Sequence, residues 1–194
     1  MKKTIVLASN NKHKLKEFKE ILTDYNILTL NDIKYYDDIE ETGVTFEENA
    51  LIKAETIHKD LKCKGLDYIV IADDSGLCVD SLNGAPGIYS ARYAGEHGNN
   101  EANRNKLQIE LIGKKRDAYF VCTIVVFYPN GEHKTFEGKT FGKIIEEELG
   151  KKDFGYDCIF YSNDLNKTFG EASKDEKNSV SHRGRAIREM IKGI

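Results

Sequence analysis

The sequence lacks the features that mark secreted scaffolds, zinc proteins and membrane proteins. Its four cysteines, Cys63, Cys78, Cys122 and Cys158, are widely spaced and form no Cys-x-x-Cys pair. This spacing argues against a zinc site or a disulfide framework and favours thiols in a reducing cytoplasm. No apolar run is long enough to span a membrane. The short apolar stretch near the start is soon followed by polar residues, so it predicts a first strand rather than a signal peptide.

The chain also lacks an excess of positive charge. It has 29 Lys and Arg against 32 Asp and Glu, a formal charge of −3, which argues against a surface that coats a nucleic-acid polymer. Local lysine clusters could still bind an anion. The 194 residues, of which 40% are hydrophobic and 31% charged, predict a globular protein with a single domain over residues 1–194, in one or two lobes.

An acidic motif follows a short apolar run in the middle of the chain. Ile69–Ala72 leads directly into Asp73, Asp74, Ser75 and Gly76, which predicts a buried strand that turns sharply at its carboxyl end. Open α/β sheets bind their ligands at that end. Two adjacent acids repel each other, so a cation or a shared proton is expected nearby. An ordinary polar turn would have the same residue types, and the stretch alone leaves both interpretations open.

The first residues predict a strand, a polar turn and a helix. Thr4–Ala8 is apolar and partly β-branched, and the cap-type residues 9–11 precede a helical pattern over Lys12–Thr23. Free amides at a helix start favour anions. Lys14 in the first turn opposes the helix dipole, which a bound anion would explain. A solvated lysine is the alternative.

Other segments have clear secondary-structure patterns. Capping boxes at Thr45–Glu48 and Ser173–Glu176 predict helix starts, and Asn49 and Lys53 are expected at the surface unless that helix face opens onto a cleft. The remaining predictions are a short strand over Asn26–Leu30, a helix over Asn99–Ile112 with Leu107, Leu111 and Ile112 toward the core, strands over Ala118–Tyr128, His133–Gly138 and Thr140–Ile145, and a final helix from Ser181. Phe154–Asp157 combines aromatic rings, a glycine and a carboxylate, which suits a planar base, although a packed aromatic turn is the alternative.

The ordered set of motifs is more specific than any one of them. They are Ser9–Lys14, Glu40–Gly43 with Glu48–Ala50 and Lys53, Ala72–Leu77, Gly84–Tyr93, Phe154–Asp157, Glu176–Asn178 and Ser181–Gly184. Together they closely resemble the inosine triphosphate pyrophosphatase family over essentially the whole chain. Two positions depart from the family pattern. Cys158 stands where proline is usual, and Asn10 stands where bacterial members often have glycine.

The resemblance implies a fold, a reaction and a set of partners. The implied fold is a long mixed β-sheet flanked by helices, with two lobes around a cleft, in a protein that usually forms a homodimer. The implied reaction converts ITP, dITP or XTP to the monophosphate and pyrophosphate with Mg²⁺. No nucleic-acid polymer or membrane is expected as a partner.

The resemblance also implies roles for individual residues. Glu40 and Asp74 would be the metal carboxylates, and Asp74 or Asp73 the base that activates water. Lys53 would act in catalysis, and Lys14 and Lys53 would neutralise the triphosphate. The implied substrate-binding residues are Ser9, Asn10, Asn11, Lys12, His13, Lys14, Ser75, Phe154, Gly155, Tyr156, Asp157, Lys177, His182 and Arg183, the last two reading the base.

Three other functions are compatible with parts of the pattern. They are a pyrophosphatase for modified pyrimidine or methylated nucleotides, a phosphatase with Asp73 as nucleophile, and a non-catalytic nucleotide- or RNA-binding protein. The sequence lacks the Asp-x-Asp spacing of such phosphatases, and its net negative charge counts against RNA binding.

Overall fold

The computed structural model describes residues 2–194 and has an α/β architecture. Its residues form two compact units. The first comprises the described residues up to Asp74 together with Thr123–Glu137 and Ala186–Ile194, and the second comprises Ser75–Cys122 and Gly138–Arg185. Among the described helices, none combines the length and apolar character needed to cross a membrane.

Seven strands form one mixed sheet. They are β1 (Lys3–Leu7), β2 (Tyr25–Leu28), β3 (Ile69–Val79), β4 (Asp117–Phe127), β5 (His133–Ile144), β6 (Phe160–Ser162) and β7 (Lys167–Thr168). Their order in the sheet is β2-β1-β3-β4-β5-β6-β7. Strand β1 pairs in parallel with β2 and β3, whereas β5–β6 and β6–β7 are antiparallel. The prediction of a mixed sheet flanked by helices is therefore confirmed.

Five α-helices connect and follow these strands. They are α1 (Lys12–Ile21), α2 (Phe46–Cys63), α3 (Asn100–Glu110), α4 (Lys174–Val180) and α5 (His182–Gly193). Both predicted capping boxes are present, since the Thr45 and Ser173 side chains accept from the third helical amide and Glu48 and Glu176 return the bond. Short 3₁₀ helices at Asp80–Leu82 and Gly87–Arg92 follow β3.

Strand β3 differs from its prediction in one important respect. The chain does not turn sharply after Asp74, because the strand continues through Ser75 and Gly76 to Val79. Both the sharp turn and the ordinary polar turn are therefore wrong. Leu77, Cys78 and Val79 extend the apolar pattern and are buried, so continued pairing stabilises this segment more than a turn would. The two acids consequently lie inside a strand.

Each unit has its own apolar core. In the first unit, α2 residues such as Ala54 and Ile57 pack with Val6 and Val70 of the sheet. In the second unit, Leu107 and Leu111 pack with strand residues including Phe120. Ile112 is 73% exposed, so its prediction as a core residue is wrong, because α3 ends at Glu110 and the helical spacing no longer applies. The two strands predicted after Glu132 form the single strand β5.

Candidate active site

The first carboxylate of the acidic motif pairs with the lysine of the first helix. Asp73 Oδ2 lies 3.0 Å from Lys14 Nζ, and the Asp73 side chain is fully buried. Lys14 Nζ also donates to the Asp73 backbone carbonyl at 3.4 Å. A buried carboxylate requires such a partner because its charge is otherwise poorly solvated. Lys14 is unfavourable for its own helix dipole, but its ammonium group neutralises the buried Asp73 carboxylate of β3.

The second carboxylate lies beside the lysine of α2. Lys53 Nζ is 2.9 Å from Glu41 Oε1 and 3.8 Å from Asp74 Oδ1. Burial raises the pKa of the Asp74 carboxyl, the nearby ammonium groups of Lys53 and Lys14 oppose this, and Glu41 adds to it. Burial acts to lower the pKa of Lys53, but Asp74, Asp73 and Glu41 outweigh it, so the net pKa is raised and the lysine stays charged.

A buried amide joins Asp74 to the acidic loop. Asn49 is fully buried. Its Nδ2 donates to Asp74 Oδ2 at 3.3 Å, and its Oδ1 accepts from the Gly43 amide at 2.8 Å. A Cβ on Gly43 would lie only 2.6 Å from Glu48 Cβ, so this contact requires glycine. The surface placement predicted by default for Asn49 and Lys53 is therefore wrong, and both belong to the group around β3.

In the acidic loop, Glu41 contacts Lys53, and it lies next to Glu40, the predicted metal ligand. Glu40 is exposed, whereas Glu41 is half-buried and pairs with Lys53. Sequence reasoning gave Glu41 no role, because two adjacent glutamates in a polar loop look equivalent. Among residues 2–194, no group of three or more His, Cys, Asp or Glu side chains is arranged to hold a metal ion.

The start of α1 is partly capped by its own side chains. Asn11 Oδ1 accepts from the His13 and Lys14 amides at 3.0 and 3.2 Å, so the prediction that the first helical amides are free is wrong for these two. The Asn11 amide donates to Ser9 Oγ at 3.2 Å. The Asn10 and Lys12 side chains are exposed beside this turn. The predicted strand, turn and helix are therefore formed, with the ammonium group of Lys14 directed at Asp73 of β3.

In the second unit, Ser75 contacts one of the predicted base-reading residues. Arg183 is 2% exposed, and its Nη2 donates to Ser75 Oγ at 2.9 Å. His182 is also buried, and its ring stacks on Phe120 with 4.8 Å between centroids. The start of α5 thus holds one side chain against the strand hydroxyl and the other against an aromatic face.

The predicted aromatic loop forms a turn with a buried ion pair. Lys177 Nζ is 2.6 Å from Asp157 Oδ2 and lies over the Phe154 ring, 5.2 Å from its centroid. Tyr156 is 3% exposed, and its hydroxyl donates to the Ser90 carbonyl at 2.9 Å. Of the two predicted aromatic faces, the Tyr156 ring belongs to the core, and Phe154 remains half-buried. Gly155 is in the left-handed region with φ +49°, which favours glycine.

These groups provide the components that phosphoryl chemistry requires. Burial raises the pKa of Asp74 above that of an ordinary carboxyl, which makes its carboxylate a better proton acceptor. Lys14 and Lys53 supply positive charge that can stabilise phosphate oxygens. Asp74, which lies near Lys53, and Ser75, which accepts a hydrogen bond from Arg183, are consecutive residues of β3.

Comparison with known proteins gives a consistent result. The chain matches the model of the Ham1 family over residues 5–193. It is 54% identical to a dITP/XTP pyrophosphatase of Clostridium perfringens, over 99% of this chain and 98% of that protein. It is 47% identical to a dITP/XTP pyrophosphatase of Bacillus subtilis, over 98% and 96% respectively.

Solved structures agree with the sequence relatives. The Staphylococcus aureus Ham1 protein superposes with a TM-score of 0.85 at 46% identity, covering 98% of this chain and 99% of that one. A HAM1 protein from Coxiella burnetii superposes with a TM-score of 0.86 at 38% identity, covering 98% of each chain. With its full-length sequence match and its fold in agreement, this chain belongs to the Ham1 family.

Proposed function

We propose that this chain hydrolyses the non-canonical purine nucleoside triphosphates ITP, dITP and XTP to the monophosphate and pyrophosphate, which removes them from the nucleotide pool. The observation that carries the proposal is the pair of buried carboxylates, Asp73 and Asp74, each beside a lysine. Relatives that share about half of the sequence over nearly its whole length are named dITP/XTP pyrophosphatases.

The reaction needs a positioned water and neutralised charge more than covalent help. Water attacks the α-phosphorus, the bond from that phosphorus to the bridging oxygen breaks, and pyrophosphate leaves. Asp74 is our candidate to take the proton from water, because burial raises its pKa toward the working range of a general base. Asp73, which lies 3.0 Å from Lys14 Nζ, remains the second candidate, because a carboxylate that binds a metal ion, as proposed below for Asp74, is poorly basic.

The two lysines neutralise the triphosphate. Lys14 and Lys53 side chains are only 14% and 10% exposed, so their ammonium groups act in a partly dehydrated environment where charge interactions are stronger. Their carboxylate partners keep both side chains extended toward β3 before substrate binds. Ser75, next to Asp74, is our candidate for a phosphate contact.

We further propose that Mg²⁺ takes part, held by Asp74 and Glu40. The donor set fits this ion, because Mg²⁺ prefers hard oxygen ligands and is usually bound by one or two carboxylates together with substrate phosphates. Two carboxylates are therefore enough, and a third acidic ligand is not needed. When bound, Mg²⁺ would neutralise phosphate charge and assist departure of pyrophosphate. Asn49 keeps Asp74 and the loop before Gly43 together for this purpose.

We propose that Phe154–Asp157, Lys177, His182 and Arg183 bind the base. Phe154 supplies a face that accepts any purine, with Lys177 and Asp157 paired beside it. Hypoxanthine and xanthine carry a 6-oxo acceptor where adenine carries an amino donor. Arg183 and His182 are our candidates to donate there, so that adenine would place a donor against a donor and be rejected.

A substrate panel tests the proposed function. We expect pyrophosphate release from ITP and XTP with Mg²⁺, much less from ATP, and none without a divalent metal. GTP tests the effect of the 2-amino group, because guanine also carries the 6-oxo acceptor. Preference for a modified pyrimidine or methylated nucleotide would favour a pyrophosphatase for those nucleotides instead. Release of orthophosphate from phosphorylated small molecules would favour the phosphatase. Nucleotide binding without turnover would favour a non-catalytic nucleotide-binding protein.

The cellular setting is also part of the proposal. We propose a cytoplasmic enzyme, because its substrates belong to the nucleotide pool and Cys63 and Cys158 carry free thiols. We propose a homodimer on the basis of the family resemblance, and the exposed Ile109 and Ile112 near the end of α3 are candidates for its interface. Light scattering of the purified chain would measure its mass in solution.

A further inference from the structure

Helix α3 carries a buried positive charge that the proposed reaction does not use. Arg104 is 4% exposed and is the fifth residue of the helix. A buried guanidinium is costly unless its N–H groups are paired. Its Nε donates to Glu148 Oε1 at 2.7 Å, and its Nη1 donates to the Gly155 carbonyl at 3.0 Å. One planar group therefore joins α3 to two separate segments.

The contact with Gly155 fixes the direction of a peptide group in the proposed base-binding loop. Phe154–Asp157 is a turn in which the Asp157 amide donates to the Phe154 carbonyl at 3.2 Å. Gly155 tolerates several backbone conformations, so the peptide that follows it can rotate at little cost. Because a trans peptide is planar, a carbonyl held toward Arg104 directs the Tyr156 amide to the opposite side.

A second set of bonds holds the same loop at the next residue. The Tyr156 hydroxyl donates to the Ser90 carbonyl, which also accepts from Asn103 Nδ2 at 3.4 Å. Asn103 Nδ2 further donates to the Ala91 carbonyl at 3.2 Å. Two consecutive residues of α3, Asn103 and Arg104, therefore restrain the loop at Tyr156 and Gly155. The bonds to charged Arg104 are the stronger ones.

We propose that Arg104 is a positioning residue for nucleotide binding, which holds the Gly155 peptide in the orientation that lets Phe154–Asp157 receive the purine. The proposal rests on the proposed function of that loop. It assigns Arg104 an effect on binding of the nucleoside part of the substrate. It assigns no effect on binding of the pyrophosphate part, which the lysines and carboxylates of the first unit serve.

The variant Arg104→Lys separates this role from a structural one. Lysine keeps a cation for Glu148, but it lacks the planar fork that reaches Glu148 and the Gly155 carbonyl together. A lost charge-assisted hydrogen bond corresponds to about a tenfold to hundredfold change in affinity. We expect the Kd for inosine monophosphate and the KM for ITP to rise by about that factor, with kcat and the Kd for pyrophosphate changing less than about threefold.

Two further variants sharpen the test. Lys152→Ala removes the exposed lysine that lies 2.7 Å from Glu148, yet it keeps the contact between Arg104 and Gly155, so it should match the parent. Arg104→Ala should lose more affinity than Arg104→Lys. A cavity of about 470 Å³ lined by Arg104, Glu148 and Lys152 reaches this position, so millimolar methylguanidinium should restore inosine monophosphate binding to Arg104→Ala.

The outcomes are distinguishable. An Arg104→Lys variant that binds inosine monophosphate as tightly as the parent overturns the positioning role. Equal losses for inosine monophosphate and pyrophosphate, together with a lower urea midpoint of unfolding, also overturn it, because they mark a general loss of structure. The parent is assayed first, since a parent that does not hydrolyse ITP refutes the proposed function, whereas an active parent with an unaffected variant refutes only the inference about Arg104.

Discussion

The charge of Lys53 should set the pH range in which the enzyme works. Its Nζ lies 3.8 Å from Asp74 Oδ1 in a site where Lys53 is 8% exposed. Two unit charges at that distance attract by about 4 kcal/mol at an effective dielectric constant of about 20. Lys53 and Lys14 both stabilise the charged form of Asp74, so we expect removal of the Lys53 charge to raise the pKa of Asp74 further above its ordinary value.

The substitution Lys53→Met tests this directly, because methionine is unbranched, nearly as long and uncharged. We expect the acid limb of kcat/KM for ITP, measured from about pH 5 to about pH 10 at saturating Mg²⁺, to lie at higher pH than in the parent. Activity should then partly recover in alkaline buffer. Lys53→Arg keeps the charge and is the matched control. A uniform fall at every pH, with the acid limb unmoved, would refute this role and leave Lys53 to the phosphates alone.

The remaining predictions concern the acids, the base-reading arginine and the last capping box. Asp74→Asn should lower kcat by about 10² or more, and Asp73→Asn made in parallel shows which carboxylate is the base; near-parental turnover of Asp74→Asn would remove it from the mechanism. Arg183→Ala should cost ITP about 1–3 kcal/mol in kcat/KM and ATP much less; equal losses would assign Arg183 to the phosphates through Ser75. Lys177→Ala should mainly raise KM for ITP, and unchanged steady-state kinetics would exclude it from the site. The hydrogen bond from Lys167, followed by that from the Ser173 amide, lowers the pKa of Glu176 to about 2. Its stabilisation is therefore complete above the ordinary glutamate pKa and is lost as the pH falls toward about 2; urea unfolding of Glu176→Gln should lack this component.

Local chemistry made much of the fold predictable. Both capping boxes name their helix starts because a hydroxyl and a carboxylate three residues apart satisfy amides of the same turn. Strand β4 was predicted within one residue at each end because its run of β-branched and aromatic residues has few alternatives. In contrast, β6 and β7 were missed, since strands of three and two residues carry almost no pattern.

The failures share a physical cause. The sequence predicts that strand β3 ends at its acids because Asp, Ser and Gly are typical of turns, but Lys14 and Lys53 of two helices pair with these carboxylates inside the strand. The sequence predicts Asn49 at the surface because the pattern of its own helix does not reveal its partners, Gly43 and Asp74. Hydrophobic periodicity does not predict hydrogen bonds or ion pairs between residues that are far apart in the sequence.

One residue could have been noticed earlier. Arg104 follows a clear N-cap and lies in a helix that otherwise conforms to its predicted pattern. A cation that early in a helix opposes the dipole, as Lys14 does in α1, and in both cases the structure supplies a specific partner.

In the proposed reaction, water attacks the α-phosphorus of a non-canonical purine triphosphate. The most direct measurement is a single turnover of ITP in ¹⁸O-labelled water with Mg²⁺, with both products analysed by mass spectrometry. We predict inosine monophosphate carrying one labelled oxygen and unlabelled pyrophosphate. Label in the pyrophosphate would place the attack at the β-phosphorus, and release of orthophosphate would place it at the γ-phosphorus; either result would contradict the mechanism.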